Sequence, residues 1–124
     1  LIEDGKFIYA WLGISGTDLR KEVAEAMDID AEIRGAQVID LAPGGPAEKG
    51  GLRGSDRTQE VDRGLMPVGG DVIVAIDDLA IADMDDLIIY LIENARPGDT
   101  IILDVVRDGG ESAEVEVTLG SRPE

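Results

Sequence analysis

The sequence Trp11-Leu12-Gly13-Ile14-Ser15-Gly16 follows the apolar run 7–10 and alternates large apolar residues with glycine. Glycine at position 13 allows a backbone conformation closed to other residues and leaves neighbouring N–H groups uncovered. Successive uncovered N–H groups form a concave anion site, and the segment 14–16 has the light side chains of an edge strand. The stretch therefore predicts a site for a peptide carboxylate beside an open strand edge. A plain strand with a glycine bulge is the alternative interpretation.

The length of 124 residues is enough for one domain with one core. Apolar residues make up 44% of the chain, a globular value, but they include only one Phe, one Trp and two Tyr. The predicted core is therefore aliphatic.

The charge balance excludes several classes of function. With 27 acidic and 11 basic residues the net charge is -16, which argues against nucleic acid or anionic lipid as a partner. It is compatible with a highly soluble surface or with a preference for cationic peptides.

The chain has no His and no Cys, so it can form neither a Ser/His/Asp nor a Cys/His catalytic arrangement. We therefore predict no catalytic residue in this chain.

The sequence also gives no metal or cofactor site. Asp28, Asp30 and Glu32 have the spacing of the first ligands of a calcium loop, but Ile33 and Ile39 stand where that loop needs Gly and Glu. The glycines at 13 and 16 lack the lysine of a phosphate-binding loop. We predict neither a metal nor a cofactor.

The first third of the chain predicts one helix and one strand. Thr17 or Asp18 is placed to cap the helix. Its core face is predicted by an apolar stripe at helical spacing, made of Leu19, Val23, Ala26 and Met27. Gly35 then precedes a short strand, 36–41.

The middle of the chain begins with a proline- and glycine-rich turn. Pro46 suits the first position of a helix that can only be short, 47–50, because two glycines follow. Leu52 is predicted to lie in the core. The segment 53–67 is polar and aperiodic, and we predict a surface loop with room for a small hairpin.

A dense β-branched run, 71–77, predicts a buried strand, and 79–81 a brief second one. Asp83 is predicted to cap a helix over 84–94. That helix is apolar over more than one stripe, so a second apolar face must cover something besides the core.

Two strands, 100–107 and 113–119, are joined at the turn sequence Asp108-Gly109-Gly110. The whole pattern predicts an α+β fold with five to six short strands, two helices and one short helical turn.

Several motifs in this order resemble a PDZ domain. They are the Leu-Gly-Ile turn, the segments 38–52 and 69–77, the helix opening Asp85-Asp86-Leu87, and the turns at 96–99 and 106–109. More narrowly, the set resembles the PDZ domain that follows the protease domain in HtrA/Deg-type serine proteases. The resemblance implies a PDZ-like, partly open barrel or sandwich capped by the helices, with residues 1–8 as a linker from the protease domain and 9–124 as the PDZ domain.

The resemblance also implies a site. A peptide carboxylate would be held by the N–H groups of Leu12, Gly13 and Ile14, and the peptide strand and pocket would be formed by Trp11, Ser15, Gly16, Met84, Leu87, Ile88 and Leu91. Core packing is the alternative for Leu87 and Leu91. Many relatives carry a basic residue just ahead of the turn, whereas this chain has Tyr9 and Ala10 there. Carboxylate capture is therefore expected to depend on backbone N–H groups.

For the parent protein the resemblance implies a prokaryotic, extracytoplasmic serine endopeptidase, located in the periplasm or cell envelope, with a membrane anchor and a trimeric homo-oligomer as further expectations. The expected partners are peptide C-termini or unfolded protein segments, and the upstream protease domain. Two alternatives stay open: a scaffold or regulatory module without substrate delivery, and the PDZ domain of a site-2-type or C-terminal-processing protease.

Overall fold

A computed structural model of the chain describes residues 10–30, 32–61 and 64–121. The strands in these ranges are β1 (Ala10–Trp11), β2 (Ile14–Asp18), β3 (Ala36–Leu41), β4 (Arg57–Val61), β5 (Gly64–Val68), β6 (Val72–Ile76), β7 (Leu79–Ala80), β8 (Thr100–Val106), β9 (Ser112–Thr118) and β10 (Gly120–Ser121). The helices are α1 (Lys21–Ala26), α2 (Pro46–Gly50) and α3 (Met84–Asn94). The α+β prediction is confirmed. The predicted linker, 1–8, lies outside the described residues.

The main sheet is antiparallel, with the strand order β2-β3-β6-β8-β9 and β7 paired to β6. The β-branched run that predicts a buried strand forms β6, at the centre of this order. β2 lies at one edge. A second, two-stranded sheet joins β1 to β10, so that the chain crosses from β1 into β2 through Leu12 and Gly13 alone.

The core is aliphatic, as the composition predicts, and it has two parts. The larger cluster contains Ile76, Leu87 and Leu103 with Leu12 and Leu52, and Ile14, Met84, Tyr90 and Leu91 pack against it from the side. The smaller cluster contains Val23 and Ala24 of α1 and Met27, the residue that follows this helix. α3 lies near β1, β2 and β3, and it therefore covers the sheet at its β2 edge.

The segment 53–67 contains the predicted hairpin, formed by β4 and β5, and it packs on α1. Gln37 of β3 is buried and donates from Nε2 to the carbonyl of Pro67 at 3.0 Å. The Ser55 hydroxyl donates to the carbonyl of Val68 at 2.8 Å. The base of the hairpin is thus attached to β3, the neighbour of β2.

The predicted cap of α1 is wrong. Thr17 and Asp18 continue β2, where they pair with Gln37 and Ala36 of β3. The helix begins after Arg20, which has extended backbone angles and makes no side-chain capping bond. Pairing with β3 satisfies more backbone groups than a cap would, and it draws these two residues out of the helix.

No helix in the described ranges is long and apolar enough to cross a bilayer.

Candidate functional site

The turn between β1 and β2 has the conformation that the sequence predicts. Gly13 has a φ of +81°, a value that residues with a side chain rarely adopt. A Cβ atom at this position would lie 3.3 Å from Cδ of Pro46. Glycine is therefore required here both by the backbone angle and by the close approach of the 42–46 turn.

Two carbonyl groups of this turn point toward the segment 42–47. The Leu12 carbonyl accepts from the Ala47 N–H and the Gly13 carbonyl from the Ala42 N–H, each at 2.9 Å. Because a trans peptide is planar, each N–H points away from the carbonyl it is bonded to. The N–H groups of Gly13 and Ile14 therefore point away from this segment.

The pairing of β2 with β3 gives the same direction for Ile14. Ile14 lies opposite Leu41. The hydrogen bond from the Ala42 N–H to the Gly13 carbonyl joins the adjacent pair of residues. Because hydrogen-bonded and non-hydrogen-bonded pairs alternate in an antiparallel ladder, Ile14 and Leu41 form a non-hydrogen-bonded pair. The N–H and carbonyl of Ile14 consequently face the edge that no described strand occupies. A register shift follows between Ser15 and Gly16. β2 thus presents polar backbone groups to an open edge, beginning at a glycine turn.

The helix α3 forms the second wall beside this edge. Asp83 caps it, accepting the Asp86 N–H at 2.9 Å, as predicted. Met84, Ile88 and Leu91 lie on one line along the helix, at i, i+4 and i+7. Met84 and Leu91 are half-buried against the core, and 44% of the Ile88 surface is exposed. The line therefore offers apolar surface above the core, as the surplus apolar pattern of the helix predicts.

The remaining predicted site residues lie in three environments. Leu12 and Leu87 belong to the larger core cluster and are 3% and 1% exposed, so that Leu87 can contribute only the floor of a pocket. Ser15 is exposed on the strand opposite Asp40. The Trp11 ring lies by the 42–46 turn, since a Cβ at Gly45 would lie 3.5 Å from its Cη2 atom.

Gly16 brings the strand and the helix close together. A Cβ atom there would lie 3.1 Å from Sδ of Met84 and 2.6 Å from the carbonyl oxygen of Gln37. The missing side chain thus admits the first residue of α3 to the surface of β2. This gives Gly16 a function in shaping the site that its predicted position on the strand did not reveal.

The electrostatic character of the site differs between its two ends. The segment 11–18 contains no Lys or Arg, so neither the glycine turn nor β2 itself offers a cationic side chain to an anion. At the other end a depression of about 610 Å³ lies beside the end of β2 and the residues that precede α3. It is lined by Asp18, Leu19, Glu32, Ile33, Arg34, Ala82 and Asp83. That end is predominantly acidic.

Sequence reasoning missed one residue that joins the two walls. The Asp18 carboxylate accepts the Met84 N–H through Oδ1 at 2.9 Å, across 66 positions of sequence. Nothing in the local pattern around Asp18 indicates a partner so far along the chain.

The family model and the curated relatives that this chain matches agree with one another. A family model described as PDZ domain matches residues 10–119. A probable periplasmic serine endoprotease, DegP-like, of Ectopseudomonas mendocina is 34% identical over 98% of this chain, and its Marinomonas counterpart is 32% identical over 99%. The chain spans 22% of the length of each.

Two solved structures extend the comparison. The HtrA-type protease AlgW with a decapeptide is 30% identical, with a TM-score of 0.71, and the match covers 97% of this chain and 31% of that one. The HtrA3 PDZ domain bound to the phage-derived ligand FGRWV has a TM-score of 0.66 over 94% of this chain and 89% of that one. At 16% identity the second match shows the fold alone.

Proposed function

This chain belongs to the PDZ domain family, and we propose that it captures the C-terminal end of a protein chain by adding it as a strand to β2, within an HtrA-type serine protease. The observation that carries the proposal is the direction of the Gly13 and Ile14 N–H groups at the start of an unpaired strand edge. A carboxylate placed there receives two aligned donors, and the rest of the peptide continues along the edge. The peptide-bound neighbours support the same use of the fold.

The geometry of β2 and α3 supports one direction and one register for the bound peptide. Its carboxylate lies at the beginning of β2, so the peptide runs antiparallel to this strand. Side chains two positions apart on a strand point the same way and are about 6.8 Å apart. On α3 the line Met84, Ile88, Leu91 has separations of about 6 and 4.5 Å along the axis. The last peptide residue thus faces Ile88 and Leu91, and the third from last faces Met84.

Apolar side chains fit both positions. The last peptide residue would lie over Ile14 and the core cluster, and the third from last over Gly16 and Met84. Burying apolar surface there contributes roughly 25 cal/mol per Å². Exposed apolar segments of unfolded proteins can use the same edge without a terminal carboxylate, at the loss of the bonds to Gly13 and Ile14.

Within the parent protein this binding would bring substrate to a protease domain or regulate that domain. Shallow peptide sites typically bind near the micromolar range, about -8 kcal/mol. Tethering to a neighbouring protease domain raises the effective concentration, so such an affinity is sufficient for recruitment. The names of the bacterial relatives support an extracytoplasmic parent protein.

The test is an NMR titration of the labelled domain with a peptide that carries apolar residues at its last and third-from-last positions. Each peptide is used as the free acid and as the C-terminal amide. We expect amide shifts at 12–16 and along 84–91 with the acid, and a clear loss of affinity with the amide. Equal binding of both forms would overturn carboxylate capture, and shifts confined to other surfaces would overturn strand addition at β2.

Recruitment and regulation separate in the intact protease. If the PDZ domain regulates the protease domain, a free C-terminal peptide added in trans accelerates the cleavage of an unrelated substrate. If the PDZ domain recruits substrates, the free peptide competes with substrates that carry the same C-terminus and therefore slows their cleavage.

A further inference from the structure

The hydrogen bond between Asp18 and Met84 is the one that joins β2 to α3 among the described residues of these two elements. Asp18 is the last residue of β2 and Met84 the first of α3. The bond therefore links the two walls between which the proposed peptide lies.

The free N–H groups at the start of α3 explain why this bond forms. The first N–H groups of a helix have no partner within the helix and must find one elsewhere. In α3 the Asp83 carboxylate accepts the Asp86 N–H, and the Asp86 carboxylate accepts the Ala82 N–H, each at 2.9 Å. The local capping residues are thus engaged with other donors, and the Met84 N–H is left to the carboxylate from the strand.

The position of the Asp18–Met84 bond determines which residue of the bound peptide it affects. Along β2 the distance from Ile14 to Gly16 is about 7 Å, so the third-from-last peptide residue lies beside Gly16. Met84 Sδ is the atom of α3 that approaches Gly16. A bond at the Met84 N–H fixes the residue that faces this peptide position, whereas Ile88 and Leu91 lie one and two turns further along.

We infer that Asp18 is a positioning residue of the peptide site: its carboxylate holds the start of α3 at the distance from β2 that the third-from-last peptide side chain requires. The inference rests on the proposed function, because it concerns the same groove. Asp18 itself does not touch the apolar peptide side chain. It acts through Met84, and its effect is on selectivity at one peptide position.

The chain offers matched variants. Asp18→Ala removes the acceptor, whereas Asp18→Asn keeps an acceptor oxygen at the same position and removes only the charge. Asp85→Ala is the charge control, since Asp85 is an exposed acidic residue in the first turn of α3 with no part in the bond. All three change the net charge equally, so an effect of charge on the peptide would appear in each of them.

The experiment measures the dissociation constant of four peptides that carry Val or Ala at the last and third-from-last positions. In the wild-type domain and in Asp18→Asn, Val in place of Ala at the third-from-last position is expected to strengthen binding about fivefold, in the range of one buried side chain. In Asp18→Ala this ratio is expected to fall to about twofold or less, while the ratio for the last residue stays unchanged. General destabilisation would weaken the binding of all four peptides by the same factor and leave both ratios unchanged.

A second measurement needs no peptide. Hydrogen exchange of the Met84 amide is expected to be slow in the wild type and in Asp18→Asn and faster in Asp18→Ala, with unchanged exchange in the last turn of α3. An unchanged third-position ratio in Asp18→Ala overturns the inference, and so does the same loss in Asp18→Asn and Asp85→Ala. Absence of peptide binding by the wild-type domain overturns the proposed function instead, and the Met84 exchange then still reports whether the bond holds the helix.

Discussion

The Tyr90 hydroxyl donates a hydrogen bond to Oδ2 of Asp77, at 2.9 Å, and thereby ties α3 to the turn between β6 and β7. The other oxygen of the same carboxylate accepts the Ile102 N–H at 2.9 Å. Asp77 has a φ of +49°, which Asp tolerates better than most residues. One carboxylate thus connects the turn, the neighbouring strand β8 and the helix that forms a wall of the site.

Replacing Tyr90 by Phe is expected to lower the free energy of unfolding by about 0.5–1 kcal/mol at pH 8, at the low end for a hydrogen bond because Asp77 is exposed. The hydrogen bond to Asp77 raises the pKa of Tyr90 above its ordinary value of 10.0, with smaller contributions from burial and from the charges of Asp77 and Asp99. Chemical denaturation of both proteins between pH 8 and 11.5 measures the difference.

The sign of the pH dependence follows from the direction of that shift. A group whose pKa is higher in the folded state stabilises the fold fully below its unfolded pKa, and this stabilisation is lost as the pH rises through the folded pKa. The difference between the wild type and Tyr90→Phe is therefore expected to be constant up to pH 10 and to shrink above it. A difference that persists unchanged at pH 11.5 would contradict this assignment.

The helix α3 shows what local sequence can predict. Its bounds, 84–94, and its cap at Asp83 agree with the prediction, because an Asx cap, a first turn rich in acid and a terminating Arg-Pro-Gly all act within a few residues. The surplus apolar surface is equally visible in the sequence, since the apolar residues of 84–92 cover more than one helical stripe. The bounds of β3, 36–41, also agree with the prediction.

The end of β2 shows where local sequence fails. The pattern 17–18 is a good helix cap, but Thr17 and Asp18 instead pair with β3, and the side chain of Asp18 bonds to Met84. Both partners are far along the chain, so no window around residue 18 contains the information. Gln37 is comparable: its anchoring of the hairpin at Pro67 becomes visible only once the sheet is assembled.

Gly13→Ala is expected to weaken binding of a free C-terminal peptide by at least about tenfold, because a Cβ at a φ of +81° forces the turn to change and misaligns its two N–H donors. The control is Gly109→Ala at the tip of the β8–β9 hairpin, where φ is +84° and a Cβ meets no atom within 4 Å. Both variants should lose about 1–2 kcal/mol of stability from backbone strain. Calorimetric titration would contradict the assignment of the turn if both bind equally well.

Ile88→Ala is expected to weaken peptide binding by about three- to tenfold, since it removes apolar surface facing the last peptide residue. Ile89→Ala is the matched control: the two side chains are similarly exposed, at 44% and 50%, but Ile89 lies off the line that faces β2. Neither change should alter stability by more than about 0.5 kcal/mol, because both side chains are largely exposed. Fluorescence anisotropy with a labelled peptide measures both, and an equal effect of the two variants would place the peptide on a different face of α3.

The acidic end of the peptide site, where β2 ends and α3 begins, predicts a preference for peptides with cationic residues. Asp85 and Asp86 lie in the first turn of α3, and Asp83 lies directly before it. Asp83 also lines the 610 Å³ depression, where Asp18 and Glu32 outweigh the single cation Arg34. Because the peptide runs antiparallel to β2, its fifth-from-last residue and the residues before it lie near this end. Peptides with Lys or Arg there are therefore expected to bind more tightly than peptides with Glu. At 20 mM salt the difference should be about five- to tenfold, and it should fall below about twofold at 500 mM, because solvent-exposed charges are screened within a few ångströms at that ionic strength. Equal affinity of Lys-rich and Glu-rich peptides at low salt would show that the bound chain leaves the groove before it reaches α3's first turn.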